Sequence, residues 1–265
     1  MKEKLIFGRY IPVDSVLHRL DPRGKIVAII GFICVVFLAN NGITYLILAL
    51  FTLGVILLSN IPLKFLFNGL KFLFWIIILT FVLHILFTRQ GEVLFQWGWL
   101  KIYERAVVQG FYIALRFTFL ILVTSLLTLT TTPIEITDGL ESLLKPLRVV
   151  HFPVHELALM MSIALRFIPT LMDETEKIMK AQMARGVDFS EGSLKKRAQA
   201  VIPLLVPLFV NAFKRAEELA IAMEARGYRG GEGRTKYRQL RWRKKDTAAI
   251  ICLLVLGILL FWLRD

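Results

Sequence analysis

The sequence predicts an all-α, polytopic membrane protein with about five transmembrane helices and a cytoplasmic domain of long amphipathic helices. Of its 265 residues 56% are hydrophobic, and the mean hydropathy is +0.64. That content exceeds the roughly 45–50% that is usual in soluble domains. The apolar residues are also gathered into blocks long enough to predict membrane spans. The blocks are 26–39, 43–58, 72–87, 106–130 and 247–263. Several fall short of the ~20 residues that cross a bilayer, so we expect their flanks to complete the spans.

Basic residues predict which side of the membrane each loop faces. Between Arg226 and Lys245 there are nine Lys or Arg residues and one acid, Glu232, directly before the last apolar block. Such clustering is typical of a cytoplasmic loop. We therefore place the N-terminus inside and the loop 88–105 outside, with its interfacial aromatic residues in a belt; they are Trp97, Trp99 and Tyr103. A nucleic-acid partner is not expected, because few rings accompany the basic run; they are Tyr228, Tyr237 and Trp242.

The chain is predicted to divide into three regions. Residues 1–130 form a membrane region with four transmembrane helices, 131–246 a domain that faces the cytoplasm, and 247–265 the last transmembrane helix. The middle region mixes charge, proline and apolar residues, unlike the spans. It should open on a short helix after Thr-Thr-Pro, with Glu135 near the positive end of the helix dipole, and that helix should stop near Pro146.

Two long helices are predicted within the middle region, over residues 153–186 and 200–227. In the first, apolar residues recur at steps of three and four, with a possible kink at Pro169. Each helix begins with a membrane-like composition and ends with a charged, water-compatible one. A polar break, 187–197, separates them. At 1.5 Å per residue, 30 helical residues reach about 45 Å, which could connect a bilayer to a soluble partner.

Both long helices end in the same three letters, Ala-Arg-Gly. The residues are Ala184, Arg185 and Gly186 in one copy and Ala225, Arg226 and Gly227 in the other. Aligned at an offset of 41 residues, 176–186 and 217–227 are identical at five of eleven positions. One copy would be a good helix stop, because Gly suits the left-handed turn and Arg the negative dipole end. Two copies favour docking, in which Ala permits close approach, Arg offers a planar fork to a carboxylate, and Gly turns the chain away.

The chain carries no recognisable catalytic or metal-binding pattern. No phosphate-binding loop, H-E-x-x-H or G-x-S-x-G motif occurs, and the apolar blocks contain no Asp or Glu. Within them, we expect His84 to be bonded to a neighbour or to water, and Arg116 to have a structural partner in the bundle. His151 and His155 lack a convincing third ligand beyond Glu156, so a metal site is not expected. We predict no catalytic, cofactor-binding or metal-binding residues.

In these motifs the sequence resembles the transmembrane, or T, component of energy-coupling factor (ECF) transporters, which import vitamins and metals in prokaryotes. The resemblance covers most of the chain. It includes "HRLDPRGK" at 18–25, "PVHELALMMSIALRFIPTLMDETEKIMKAQMARG" at 153–186 and "PLFVNAFKRAEELAIAMEARGY" at 207–228. One departure is Gly24, where a bulkier residue would be expected before Lys25.

The resemblance implies a non-catalytic coupling subunit that is a multi-pass protein of the prokaryotic cell (inner) membrane, with its coupling domain in the cytoplasm. Each Ala-Arg-Gly end would seat in a groove of one of two ABC-type ATPase subunits, which would bind ATP and Mg. The membrane part would hold one substrate-binding S component, and that component would select the vitamin or metal. The Met-rich faces of the long helices would suit a surface that re-packs against a moving or exchangeable partner, although ordinary helix packing would explain them equally; the methionines are Met160, Met161, Met172, Met179 and Met183.

Two other classes of function fit parts of the sequence. A stand-alone secondary transporter would move its substrate without any ATPase. A membrane-anchored protein that binds anionic lipid or nucleic acid would depend on the basic run 226–245 and not on Arg185 or Arg226.

Overall fold

The computed structural model describes residues 10–97, 100–189, 193–230 and 239–264. These residues form eight α-helices, one two-stranded antiparallel hairpin and one 3₁₀ helix, Lys145–Val150. The α-helices are α1 Pro22–Val36, α2 Gly42–Ser59, α3 Leu63–Phe87, α4 Glu104–Thr130, α5 Pro133–Leu144, α6 Val154–Ala184, α7 Leu194–Ala225 and α8 Lys244–Trp262. The strands are β1 Val93–Trp97 and β2 Leu100–Tyr103. The predicted all-α class is therefore confirmed.

The chain divides into two compact units. Unit 1 comprises residues 1–143 and 239–265, and unit 2 comprises residues 144–238. Unit 1 thus holds α1 to α5, the hairpin and α8, whereas unit 2 holds α6 and α7. The three predicted regions, and the side of the membrane that each one faces, stay predictions.

Local sequence sets where several helices begin. Asp21 caps α1 by accepting the N–H of Arg23, and Pro22 follows at the first helical position, where its missing N–H costs nothing. Asn41 and Thr44 form a capping box at α2. Thr132 and Glu135 do the same for α5: the Thr132 N–H donates to Glu135 Oε2 at 3.0 Å, and the Glu135 N–H donates to Thr132 Oγ1 at 3.3 Å. The predicted role of Glu135 is confirmed, and α5 ends just before Pro146, as expected.

The core of unit 1 lies among α1, α2, α4 and α8. Phe32, Leu48 and Leu260 are buried at its centre. Many other apolar side chains of these helices remain exposed, among them Leu46 and Ile258. An apolar outer surface of this extent is what lipid contact requires and water disfavours.

Four helices of the described chain are long and apolar enough to cross a membrane: α2, α4, α6 and α8. The apolar part of α3, Leu73–Phe87, is shorter. Four candidate spans agree, within one helix, with the prediction of about five. The helices that make up the set differ from those predicted. Helix α1 has 15 residues and is not among the four, whereas α6, which we assigned to the cytoplasmic domain, meets the same criteria of length and composition.

Two local structures differ from the sequence prediction. The loop 88–105 contains the hairpin, because its strands are rich in β-branched and aromatic residues: Val93, Phe95 and Trp97 alternate in β1, and Ile102 and Tyr103 lie in β2. Trp97 ends β1 and Tyr103 ends β2, while Trp99 lies outside the described residues. The span predicted at 72–87 is part of a longer helix, because α3 begins at Leu63, directly after Pro62. Proline fits a helix start and interrupts a helix interior, so this boundary agrees with its chemistry.

Candidate functional site

The first Ala-Arg-Gly end, residues 184–186, is the α6 tip. Helix α6 ends at Ala184, and Arg185 is its C-cap with φ −88° and ψ 7°. Gly186 then turns with φ +88°. The Gly186 N–H donates to the Met183 carbonyl at 3.0 Å, and the Val187 N–H donates to the Gln182 carbonyl at 3.1 Å. These two bonds define a Schellman motif, which satisfies carbonyls that the last helical turn would leave without partners.

The second end, residues 225–227, is the α7 tip, and its geometry repeats the first. Its cap, Arg226, has the same φ −88° and ψ 7°, and Gly227 turns with φ +74°. The Gly227 N–H donates to the Glu224 carbonyl at 2.8 Å, and the Tyr228 N–H donates to the Met223 carbonyl at 3.0 Å. The two copies of the sequence repeat therefore share the same backbone conformation and the same two hydrogen bonds of the Schellman motif.

Glycine is required at both tips by backbone conformation and not by close packing. A Cβ at Gly186 or Gly227 would meet no heavy atom within 4 Å, yet both residues lie at positive φ. Side chains other than hydrogen are disfavoured there. The capping reading of glycine is thus confirmed by geometry. Capping does not require Ala, or Arg in preference to Lys, at the preceding positions, so these two residues carry the docking prediction.

All six residues of the two tips are exposed. Within the described part of the chain, no carboxylate or carbonyl lies within bonding distance of either the Arg185 or the Arg226 side chain. Both guanidinium groups therefore keep their planar fork of N–H donors available. Such a group binds a carboxylate or a backbone carbonyl of a partner most strongly when the partner also excludes water.

An ion pair fixes where α6 and α7 meet in unit 2. The Arg215 guanidinium binds the Glu174 carboxylate, and both side chains are partly buried. Glu174 and Arg215 are themselves equivalent at the 41-residue offset, so each lies ten residues before its own tip. The two tips are consequently about 15 Å from this contact, each along its own helix. A second contact, from Gln182 Nε2 to the Pro203 carbonyl at 3.4 Å, is consistent with antiparallel packing of the helices.

Unit 2 also carries exposed apolar surface. Four of the five predicted methionines have about half of their surface exposed; they are Met160, Met161, Met172 and Met183. On α7, Phe209 and Phe213 are more exposed still. Packing within this chain therefore covers only about half of each of these methionines, and both explanations of them, an exchangeable partner and ordinary helix packing, stay open. Exposed patches of this kind are typical of binding or membrane surfaces.

A cluster of polar and charged side chains lies where α1 and α8 begin, and the sequence did not predict it. We call Asp21, Arg23, Lys25, Thr131 and Asp246 the foot cluster. The Asp246 carboxylate accepts the Asp21 N–H at 2.7 Å and the Arg243 N–H at 2.6 Å. Asp21 in turn accepts the guanidinium and backbone N–H of Arg23. Burial alone would raise the pKa of Asp21, but these hydrogen bonds outweigh it and hold that pKa below its ordinary value.

Lys25 completes the foot cluster. Its Nζ donates to the Thr130 carbonyl and to Thr131 Oγ1 at 3.0 Å each, and to the His18 carbonyl at 3.4 Å. The ammonium thus uses all three donors, one of them on the last carbonyl of α4, where a cation is favoured. Gly24 faces this cluster, because a Cβ there would lie 3.4 Å from Asp246 Cβ. That is an ordinary van der Waals contact, so the space around Gly24 alone does not explain the departure noted at this position.

The two ionisable residues inside the apolar blocks have different outcomes. Arg116 Nη2 donates to the Ala39 carbonyl at 3.1 Å, and its guanidinium lies over the Phe37 ring at 5.1 Å. The prediction of a structural partner for Arg116 is confirmed. His84 Nε2 is buried, and no described protein group binds it. The predicted bond from His84 to a neighbour is therefore not supported, and a bond to water stays a prediction.

No group of three His, Cys, Asp or Glu side chains among the described residues could hold a metal ion. His151 lies in the loop before α6 with φ +58°, and His155 lies in the first turn of that helix. Cys34 and Cys252 are free and exposed.

The chain is similar to known membrane transport proteins over its full length. A family model described as cobalt transport protein matches residues 14–237. A protein of Bacillus subtilis is 64% identical over 264 residues, with all of both chains covered, and one of Listeria innocua is 59% identical with the same coverage. A protein of Exiguobacterium sibiricum is 54% identical, covering 98% of this chain and 99% of that one. Each of the three is named energy-coupling factor transporter transmembrane protein EcfT.

Proposed function

Because this chain belongs to the EcfT family of energy-coupling factor transporter transmembrane proteins, we propose that it is the non-catalytic subunit that couples ATP hydrolysis to uptake. Two ABC-type ATPase subunits would bind ATP and Mg, and one S component would bind the vitamin or other micronutrient. This chain would transmit the motion of the ATPases to the S component, and its coupling domain would face the cytoplasm.

The observation that carries the proposal is the pair of matching, exposed tips. Each presents an unengaged guanidinium on a rigid helix end, and the two tips are equally far from the Glu174–Arg215 contact. A rigid element loses little conformational entropy on binding. Two equivalent tips suit two equivalent grooves, one in each ATPase subunit. The exposed apolar side chains of α6 and α7 supply a surface for the S component.

The test is association with the ATPase pair. We expect Arg185→Glu and Arg226→Glu each to weaken co-purification of the co-expressed ATPases by about 30-fold or more, because reversal places like charges together in a partly desolvated groove. The double variant should abolish it. Lys177→Glu and Arg229→Glu reverse exposed charges near the same tips and should change little. ATP-dependent uptake should fall in parallel.

The outcome that contradicts the docking assignment is a double variant that retains both ATPases and normal uptake. Uptake by this chain in liposomes without any ATPase would contradict the coupling function as a whole and favour a secondary transporter.

A further inference from the structure

Unit 1 contains an apolar cleft that the proposed function does not use. It lies among α1, α2, α4, α8 and the segment before α1, and its volume is about 630 Å³. Ligand pockets in proteins usually measure roughly 300–1,000 Å³. Nearly all of its lining is apolar. Small side chains create the space, because Gly54 of α2 and Ala248 of α8 both line it. A Cβ at Gly54 would meet no heavy atom within 4 Å.

Both cations of the lining lie at one end of the cleft. Lys25 is near the start of α1 and Lys245 near the start of α8, and the last residues of α2 and α4 line the same end. From there the apolar lining follows each helix for about two turns, or roughly 10 Å. The cleft therefore has a charged end near the ends of the helices and a hydrocarbon-like remainder directed toward their middles.

The two lysines differ in availability. The Lys25 ammonium donates its three N–H groups to protein oxygens. Lys245 is exposed, and within the described residues its ammonium has no ion-pair partner. Among the described residues no ion pair joins Lys245 to the adjacent Asp246, whose carboxylate oxygens accept backbone N–H groups instead. The free charge at the mouth of the cleft is therefore positive.

We propose that this cleft binds one anionic phospholipid of the surrounding bilayer, with the phosphate at Lys245 and an acyl chain along Gly54 and Ala248. A lysine at the foot of a transmembrane helix attracts anionic lipid, and burial of acyl methylenes supplies the remaining affinity. Neither a soluble anion nor an uncharged lipid matches both ends of the cleft, because the first leaves the apolar lining empty and the second leaves Lys245 unpaired.

The test is native mass spectrometry of the purified full chain, titrated with phosphatidylglycerol or phosphatidylcholine. We expect one phosphatidylglycerol to be retained in preference to phosphatidylcholine. Lys245→Gln should lower phosphatidylglycerol affinity about fivefold and phosphatidylcholine affinity less, because the choline cation of phosphatidylcholine already offsets the charge of its phosphate. Gly54→Leu should fill the cleft and lower the affinity for both lipids about tenfold. Ala248→Leu provides a second filling variant should Gly54→Leu fail to fold.

Matched controls separate the cleft from the general membrane surface. Lys244→Gln removes the neighbouring exposed cation, and Leu46→Phe enlarges an exposed side chain of α2 outside the cleft. Neither variant should change the affinity of the cleft for phosphatidylglycerol. The proposal is overturned if Lys244→Gln and Lys245→Gln act equally, if folded filling variants retain the lipid, or if the unaltered chain retains no phosphatidylglycerol.

Discussion

The foot cluster of unit 1 and the tips of unit 2 use the same kinds of side chain in opposite ways. In the foot cluster, the charged groups of Asp21, Lys25 and Asp246 are buried and their hydrogen-bonding capacity is engaged within the chain. At the tips, Arg185 and Arg226 are exposed and unengaged. A charge that its own chain satisfies stabilises the fold, whereas a charge held rigidly without a partner is available to another molecule. Four changes can break or sharpen this contrast, in order of decreasing effect on stability.

The largest loss of stability is expected from Asp246→Ala. The side chain is 1% exposed, and its removal would leave two backbone N–H groups, those of Asp21 and Arg243, without acceptors. At about 1–3 kcal/mol for each buried unsatisfied group, the free energy of unfolding should fall by roughly 3 kcal/mol. Unfolding in mixed detergent micelles measures it. Asp246→Asn keeps one carbonyl acceptor and should lose about half as much. Equal stability of all three chains would contradict a structural role for the cluster.

Lys25→Met should rank next. Methionine has a similar length but cannot donate to Thr130, Thr131 or His18, so buried oxygens lose their partner and the α4 end loses its cation. We expect a loss of about 2 kcal/mol by the same unfolding measurement. The control is Lys244→Met, which changes an exposed lysine and should stay within about 0.5 kcal/mol. A Lys25 variant as stable as its control would show that the hydrogen bonds contribute nothing net.

The two regions also differ in how far sequence alone could predict them. The tips were found because their signals are local: periodicity gives the helices, Gly gives the stop, and the 41-residue repeat gives the pairing. The same holds for Glu135, whose partner Thr132 is three residues away. Asp246 was missed because its partner Asp21 is 225 residues distant, and a contact over that separation leaves no local pattern.

The ion pair of α6 and α7 shows a third situation. Glu174 and Arg215 are equivalent in the repeat, yet one is acidic and the other basic, so alignment by identity passes over them. Their opposite charge is the detectable signal, because equivalent positions of two crossing helices can meet and then require complementary groups. The hairpin of strands β1 and β2 was overlooked for a simpler reason: its short alternating run lies between two apolar blocks whose helical pattern dominates the region.

Gly186→Ala and Gly227→Ala should produce a smaller effect with a specific sign. At φ +88° and +74°, alanine is expected to cost about 1 kcal/mol at each position, although no neighbouring atom obstructs it. Gly54→Ala is the matched control, because Gly54 is helical and also faces open space. There alanine should stabilise the chain by about 0.5–1 kcal/mol through helix propensity. Opposite signs at the tips and at Gly54 would confirm a conformational requirement; the same sign at all three positions would remove it.

The smallest effect on stability, and the most informative for function, is expected from Arg185→Ala combined with Arg226→Ala. Neither guanidinium bonds to the described chain, so the free energy of unfolding should change by less than about 0.5 kcal/mol. If the proposed docking holds, association with the ATPase pair should nevertheless fall steeply, because each substitution removes a charged group that the proposal places in an ATPase groove. Measured side by side, Asp246→Ala should lower stability and, in its folded fraction, retain association, whereas the arginine pair should do the reverse. A loss of stability in the arginine double variant would mean that the tips are held by their own chain, and the contrast between the two regions would then fail.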